Sequence, residues 1–228
     1  MLTENVKLQR HLLTQTLSAH ILHEIRTPLH NLAAVLEDRE LRLTPEDVST
    51  LQRNLSRLQT VTAQLSRWTT YDDDLDLRAP VLFDPWLSEF VLNKVQPQMQ
   101  DMNIHFKQRI DPVVLQMHPL LLEQCLVPLF HNALEAVSRG NGLRSICFTA
   151  TSGSDQEGYV EVQIRNDGEL YPDIVLATQG KEPIDSQHGL GLGLVLTRRS
   201  LELVGGTLQL SNKDGQAHAT LWIPGHKA

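Results

Sequence analysis

The spacing of apolar residues in the first third of the chain constrains the fold more than any other feature. Two segments carry apolar residues at intervals typical of one face of an amphipathic helix. The first stripe comprises Leu8, Leu12, Ile21, Ile25, Leu29, Leu32 and Leu36, and the second comprises Val48, Leu51, Leu55, Leu58, Val61, Leu65 and Trp68. Residues 38–43 are too few for anything but a loop, and Thr44-Pro45 supplies an N-cap and a first-turn proline for the second helix.

Two antiparallel helices of this kind form a hairpin that cannot bury both apolar faces by itself. A symmetric dimer resolves this by forming a four-helix bundle, so we predict a homodimer through residues from about Leu8 to Trp68. The alternative is a hairpin that packs on the C-terminal part of its own chain.

A candidate nucleophile lies on the first predicted helix, where His23, Glu24 and Thr27 fall within about one turn. His23 is two residues from both Ile21 and Ile25, about 200° of rotation, so we expect it to face solvent. An unprotonated imidazole can attack a phosphoryl group, Glu24 can accept the proton of the other ring nitrogen, and Thr27 can orient a water. The alternative is an ordinary surface histidine beside a glutamate. A His-Glu-x-x-His zinc motif is excluded because Thr27 stands where the second histidine is needed.

The composition disfavours several classes of function. The 228 residues carry a formal net charge of −7, which makes nucleic acid an unnatural partner. No apolar run approaches the roughly 18 residues that a bilayer-spanning helix needs, and no signal peptide is recognisable. Cys125 and Cys147 lie among apolar residues and are predicted to be buried free thiols. We therefore expect a cytoplasmic protein, or the cytoplasmic part of a receptor whose membrane segments lie outside this chain.

The chain is predicted to have two domains joined by an acidic linker. Residues 1–70 form the helical hairpin, residues 71–80 the linker, and residues 81–228 a second domain. In that domain the pattern predicts strands at 81–83, 104–110, 145–151, 159–165, 207–210 and 217–223, and helices at 84–100, 119–137 and 192–204. Helices followed by mostly antiparallel strands indicate a two-layer α/β sandwich, so the predicted fold class is α+β.

The first polar motif of this domain lies inside the apolar helix. Asn132 stands among Leu126, Leu129 and Ala133, and an unsatisfied buried amide costs about 1–3 kcal/mol. An amide oxygen is a suitable ligand for Mg²⁺, and Glu135, about one turn away, could hold a coordinated water. The alternative is an asparagine satisfied by backbone or solvent.

The second motif ends a predicted strand at Asn166-Asp167-Gly168. Val160, Val162 and Ile164 alternate, so strand parity puts Asn166 on the buried side and Asp167 on the outward side. The alternative is a plain strand-ending turn, which Asn-Asp-Gly also favours.

The third motif is Gly189-Leu190-Gly191-Leu192-Gly193-Leu194, which enters a helix. Glycines let the backbone approach phosphate oxygens, and a helix N-terminus offers free N–H groups with a positive dipole end. A flexible loop without function is the alternative. The preceding segment contains Lys181, which could reach a phosphate.

Taken together, the motifs resemble sensor histidine kinases over nearly the whole chain. His23-Glu24-Ile25-Arg26-Thr27-Pro28-Leu29 resembles their H-box, the Asn132 segment their N-box, the Asn166 segment their G1 box, and the glycine string their G2 box. Four departures are visible. Pro128 stands where the N-box usually has another asparagine, Asn166 replaces the G1 aspartate, Leu170 replaces its second glycine, and Leu176-Ala177-Thr178-Gln179 stands in place of the F-box.

The resemblance implies a kinase core that uses ATP and Mg²⁺. It implies that His23 is the phosphoacceptor, that Asn132 and Glu135 hold Mg²⁺, and that Thr27 supports a phosphatase reaction. The nucleotide would be bound by Asn132, Asn166, Gly168, Lys181, Gly189, Gly191, Leu192 and Gly193. The implied partner is the receiver domain of a response regulator, whose aspartate takes the phosphoryl group. The departures allow one competing function, an ATP-independent phosphotransfer or phosphatase module, but the retained Asn132, Gly191 and Gly193 argue against it. A pure dimer scaffold would explain none of the polar motifs.

Overall fold

The structure is a computed structural model that describes residues 76–140, 142–152, 157–182 and 192–228, together with Leu29, Thr44, Val48, Leu51, Asn54 and Leu55. The chain divides into two compact units, Met1–Leu75 with Asp185–Leu190, and Asp76–Ile184 with Gly191–Ala228. Nearly all described residues belong to the second unit. The predicted domain limits of 1–70, 71–80 and 81–228 stay a prediction.

In the first unit the described positions within the two predicted helices are helical. Leu29, Val48, Leu51, Asn54 and Leu55 are helical. The Val48 N–H donates to the Thr44 carbonyl over 3.1 Å, which is the first helical bond expected if Thr44 is the N-cap. The remainder of the predicted hairpin lies outside the described residues.

The second unit is built on a seven-stranded sheet. Its strands are β1 (Pro80–Leu82), β2 (His105–Ile110), β3 (Val113–Gln116), β4 (Ser145–Ser152), β5 (Tyr159–Asn166), β6 (Thr207–Lys213) and β7 (Gln216–Lys227). The order is β1-β3-β7-β5-β4-β2, and β6 also pairs with β7. All pairs are antiparallel except β2 with β4.

Helices cover one face of this sheet. They are α1 (Phe83–Phe90), α2 (Gln96–Asp101), α3 (Pro119–Arg139), α4 (Asp173–Thr178) and α5 (Leu192–Val204), and a π-helical turn, Val91–Val95, joins α1 to α2. Alternate residues of β4 and β5 are buried, among them Ile146, Phe148, Val162 and Ile164. Phe130 of α3 stacks on Phe148 with 5.5 Å between ring centroids, so the core lies between the two layers.

The predicted α+β fold with a two-layer sandwich is therefore confirmed. The sequence interpretation omitted the short strand β3, the short helix α4 and the π-helical turn that interrupts the predicted helix 84–100. It also made β6 and β7 too short. The predicted β7 ended at Ile223, before the residues of that strand that pair with β3. Among the described residues, no helix combines the length and apolar character required to cross a bilayer.

Candidate functional site

The site is organised by α3, the longest helix described. Pro119 occupies its first turn, and the His118 side chain caps it by accepting a hydrogen bond from the Leu120 N–H over 3.2 Å. Arg139 lies in the last turn, where a cation is favourable near the free carbonyls. The buried face of α3 includes Leu122, Leu126 and Leu129, and Phe130 packs on Phe148 of the sheet.

Residues of three sequence motifs lie together along a second face of α3. Pro128, Asn132 and Ala136 are spaced by four residues, so they lie above one another, and each is half-buried. At one end, a Cβ on Gly193 of α5 would lie 3.1 Å from the Pro128 Cβ. At the other end, a Cβ on Gly168 would overlap the backbone of Ala136. Gly193 is 65 positions after Pro128 in the sequence, yet Gly168 and Gly193 both pack along a stretch of α3 that is about 12 Å long.

Asn132 lies between these two contacts with its amide available. The side-chain amide forms no hydrogen bond with any of the described residues. Glu135, by contrast, is engaged, with 3.4 Å between its carboxylate and the Arg139 guanidinium and 3.8 Å to the His131 ring. No group of three or more His, Cys, Asp and Glu side chains arranged for a metal occurs in the described part of the chain. The Asn132 amide oxygen could supply one ligand to a metal whose other ligands are phosphate oxygens and water, and Glu135 could contribute only if its ion pairs yield.

Asn166 and Asp167 lie at the end of β5, and strand parity predicts that the first is buried and the second faces outward. Asn166 is 4% exposed, as strand parity predicts, and its side-chain oxygen accepts a hydrogen bond from the Gly168 N–H over 3.1 Å. Asp167 was predicted to face outward, but it is half-buried. Its carboxylate accepts from the Ser145 N–H at 2.8 Å and from the Ser145 hydroxyl at 2.9 Å. Asp167 thus ties the turn to the start of β4, and the buried polar position at the site belongs to Asn166.

The turn itself is tied to α3 by backbone bonds. The Ala136 carbonyl accepts from the Glu169 N–H at 3.0 Å and from the Gly140 N–H at 2.9 Å. Gly168 lies directly on this carbonyl, which explains why no side chain is tolerated there. The predicted nucleotide-binding role of Gly168 is therefore accompanied by a packing role that the sequence interpretation missed.

A second group of missed residues fixes the segment after Gly168. The Asn212 side chain pairs with both backbone groups of Tyr171, at 3.0 and 2.8 Å. The Gln179 side chain pairs in the same way with Leu210, at 2.7 and 2.8 Å. Arg198 of α5 donates to the carbonyls of Gln179 and Leu208, each at 2.6 Å. The only local sequence signal for this arrangement is Gly180, which follows Gln179 in a left-handed turn.

The contact between α3 and α5 includes reciprocal polar bonds. The Thr197 hydroxyl donates to the Cys125 carbonyl at 3.2 Å, and the Cys125 thiol donates to the Thr197 carbonyl at 3.7 Å. Pro128 has no N–H, so one bond of this stretch of α3 is missing.

Burial raises the pKa of the Cys125 thiol, which stays protonated. Cys125 is buried as predicted and Cys147 is half-buried, and both are free thiols.

The remaining predicted site residues are distributed as follows. Lys181 is exposed, and its side chain makes no hydrogen bond or ion pair within the described ranges. The backbone of Leu192 begins α5. Gly189, Gly191, His23, Glu24 and Thr27 lie outside the described residues.

The chain is similar to known proteins in both sequence and fold. Residues 117–227 match the family described as histidine kinase-, DNA gyrase B-, and HSP90-like ATPase. The chain is homologous to two sensor proteins of Pseudomonas aeruginosa. It is 26% identical over 208 residues to the C4-dicarboxylate transport sensor protein DctB, covering 86% of this chain and 33% of DctB. It is 26% identical over 217 residues to the sensor histidine kinase AruS, covering 88% of this chain and 21% of AruS.

A third relative and two solved structures extend the comparison. The sensor histidine kinase ZraS of Escherichia coli O157:H7 is 25% identical over 223 residues, covering 91% of this chain and 45% of ZraS. The chain thus spans less than half the length of each of these relatives. The histidine kinase AdeS of Acinetobacter baumannii superposes with a TM-score of 0.64 at 19% identity, covering 89% of this chain and 97% of that one. Full-length ShkA, solved in complex with AMPPNP, superposes with a TM-score of 0.59 at 22% identity, covering 94% of this chain and 46% of ShkA.

Proposed function

We infer, since residues 117–227 belong to the family of histidine kinase-, DNA gyrase B-, and HSP90-like ATPases, that this chain is the catalytic core of a two-component sensor histidine kinase. The observation that carries this proposal is the face of α3 on which Pro128 meets Gly193, Ala136 meets Gly168, and Asn132 lies between them with a side-chain amide that no described residue binds. A scaffold has no need to gather residues of two glycine motifs around an asparagine that has no partner among the described residues.

ATP would lie along this face of α3. Its adenine would approach the buried end of β5, where the Asn166 oxygen already accepts from the Gly168 N–H and has a second lone pair for the adenine amino group. A neutral amide gives a weaker bond here than the charged aspartate of the family would. The bound AMPPNP of full-length ShkA, which shares this fold, supports a nucleotide in this chain as well.

The phosphates would lie at the opposite end, near the start of α5. Gly189, Gly191, Leu192 and Gly193 would bring backbone N–H groups and the positive end of a 13-residue helix toward them. Lys181, which is exposed and without an ion-pair partner among the described residues, would add a positive charge. Asn132 would hold Mg²⁺ through its amide oxygen, with Glu135 acting through a water. The ion neutralises phosphate charge when it is bound.

The phosphoryl group would be transferred to His23. The bond between the γ-phosphorus and its bridging oxygen breaks, ADP leaves, and a nitrogen–phosphorus bond forms at the imidazole. Glu24 takes the proton of the other ring nitrogen. An aspartate of a response regulator then accepts the phosphoryl group, and Thr27 orients a water for the reverse, phosphatase reaction.

The proposed assembly is a homodimer through the N-terminal hairpin, in the cytoplasmic part of a receptor. In the single chain Leu29, Val48 and Leu55 are 51%, 40% and 53% exposed, although all three belong to the predicted apolar stripes. A partner hairpin would cover them. Leu55→Asp should therefore give monomers or aggregates in light scattering, because it buries an unpaired charge in the bundle. A wild-type chain that is monomeric at micromolar concentration would exclude this assembly.

A second candidate function rests on Pro128 and Asn166. Both replace polar or charged groups that the family uses for ATP, so the domain could instead serve an ATP-independent phosphotransfer or phosphatase module. The Asn132 amide, to which no described residue is hydrogen-bonded, favours the kinase over this alternative.

Calorimetry with Mg·ATP separates the two candidates. We expect saturable binding that Asn132→Ala abolishes, whereas Ser138→Ala, an exposed polar change on the same helix, leaves it intact. Incubation with γ-labelled ATP should then give an acid-labile, base-stable phosphoprotein. His23→Gln should remove the label and His20→Gln should keep it, and the opposite pattern would move the phosphoacceptor to His20. No heat of binding in the wild type would favour the ATP-independent module.

A further inference from the structure

A groove between the helices that follow β1 and the strand β2 has no role in the proposed reaction. Its volume is about 510 Å³. Its apolar lining includes Val91, Leu92, Met99 and Phe106, with Gln96 and Gln108 among its polar lining residues. Ligand pockets in proteins span about 300–1,000 Å³, so the groove can accept several apolar side chains. Leu92 is 64% exposed there.

The groove runs beside an unpaired sheet edge. Within the described part of the chain β2 pairs only with β4. The His105 N–H donates to the carbonyl of Arg144, the residue before β4, over 2.9 Å. The Asp111 N–H donates to the carbonyl of Ala150 in β4, also over 2.9 Å. Because backbone groups alternate in direction along a strand, Phe106 and Gln108 direct theirs to the free edge. Those two residues also line the groove, so the free hydrogen-bonding groups and the apolar surface are adjacent.

The outer face of the same strand is basic. Lys107 and Arg109 are exposed, and they lie opposite Cys147 and Thr149 of β4. Neither has an ion-pair partner among the described residues. On a chain whose net charge is −7, Lys107 and Arg109 therefore form a small basic patch on one face of the edge strand. Charged residues on an edge strand also discourage aggregation, but that role does not require an apolar groove alongside.

We propose that β2 and this groove bind an extended segment of a partner protein in which acidic and apolar residues alternate. The segment pairs as a new strand with Phe106 and Gln108. Because side chains alternate between the two faces of a strand, its apolar residues enter the groove while its acidic residues face Lys107 and Arg109. This site is independent of the proposed ATP site, and its failure would leave the kinase proposal untouched.

The test uses the full chain and a fluorescein-labelled peptide containing Asp-Leu-Asp-Leu-Asp-Leu, with binding measured by fluorescence anisotropy. We expect saturable binding that weakens about tenfold in the double variant Lys107→Glu, Arg109→Glu, because attraction becomes repulsion at two positions. Leu92→Gln should weaken it several-fold. Lys213→Glu, a single charge reversal at an exposed position of β6, should leave it unchanged.

Two further probes address the binding mode. A peptide with N-methylated leucines should bind more weakly, because it lacks donors for the β2 edge. A peptide with the same composition in the order Asp-Asp-Asp-Leu-Leu-Leu should bind more weakly too, and equal binding would overturn the proposal. So would binding that the double charge reversal leaves unchanged. A peptide of residues 104–110 that binds more tightly than the acidic peptide would show that the edge pairs with a second copy instead.

Discussion

Gly168 and Gly193 both pack on α3, but the two contacts differ in kind. A Cβ on Gly168 would overlap the backbone of Ala136, which cannot move without unwinding the helix. A Cβ on Gly193 would meet only the side chain of Pro128, at 3.1 Å, where a few tenths of an ångström relieve the contact. The end of the face proposed for adenine is therefore built rigidly, and the end proposed for phosphates has room to adjust.

The first way to test this contrast is Gly168→Ala. We expect the free energy of unfolding to fall by about 3 kcal/mol, because the added methyl group forces the turn away from α3. Gly158→Ala is the control, since that glycine has a φ of +83° but no atom within 4 Å of an added Cβ. It should cost about 1 kcal/mol from backbone strain alone. Urea denaturation measures both, and equal losses would mean that Gly168 is not closely packed.

The second test addresses the adjustable end. Pro128→Gly should restore an N–H inside α3 and remove the Cβ that an added methyl group on Gly193 would meet. Gly193→Ala should cost about 1 kcal/mol or less in the wild type and less still in the Pro128→Gly background. A double-mutant cycle with thermal unfolding measures this coupling. Additive effects would show that the two residues do not act through their contact.

The third test compares neighbouring residues at the end of β5. Asn166→Asp should tighten nucleotide binding by up to about tenfold, since a charged acceptor replaces a neutral one. Asp167→Asn should leave nucleotide affinity unchanged but cost about 1 kcal/mol of stability, because the bonds to Ser145 weaken. Calorimetry and urea denaturation separate the two readouts. Loss of ATP binding in Asp167→Asn, with Asn166→Asp neutral, would mean that the adenine contact belongs to Asp167.

The smallest expected effect lies away from the site, at His218 on β7. Burial and the nearby Arg165 cation lower the pKa of this histidine below its ordinary value. Its proton is bound more strongly in the unfolded chain, so the folded state should lose stability as the pH falls below about 6.5. His218→Gln should flatten the dependence of the melting temperature between about pH 5 and 7. An unchanged slope would mean that other groups govern it.

The sequence predicted most of the fold because the relevant signals are local. The alternation of Val160, Val162 and Ile164 predicts both the strand and the burial of Asn166, and the apolar run after Pro119 predicts α3. Strand β3 was missed because four residues are too few for a periodic pattern, and its partners β1 and β7 are distant in sequence.

The sequence predicted only part of the site, because only the local part of the signal can be read from it. Asn132 and the glycine motifs could be recognised from their residue types and from their order along the chain. The bonds of Asp167 to Ser145 and of Arg198 to Gln179 depend on where the chain returns, which no local pattern encodes. Parity predicted the burial of Asn166 correctly, but it could not indicate that Asp167 is half-buried and bonded to Ser145.

The most direct measurement of the central claim is a titration of the full chain with Mg·AMPPNP followed by nuclear magnetic resonance. The account predicts that the Asn132 side-chain amide and the backbone amides of Gly168 and Gly193 shift together with one dissociation constant. Signals from Phe106 and Gln108, beside the groove on β2, should stay in place. Shifts at only one end of the α3 face, or at none of the three positions, would contradict the claim that ATP binds along it.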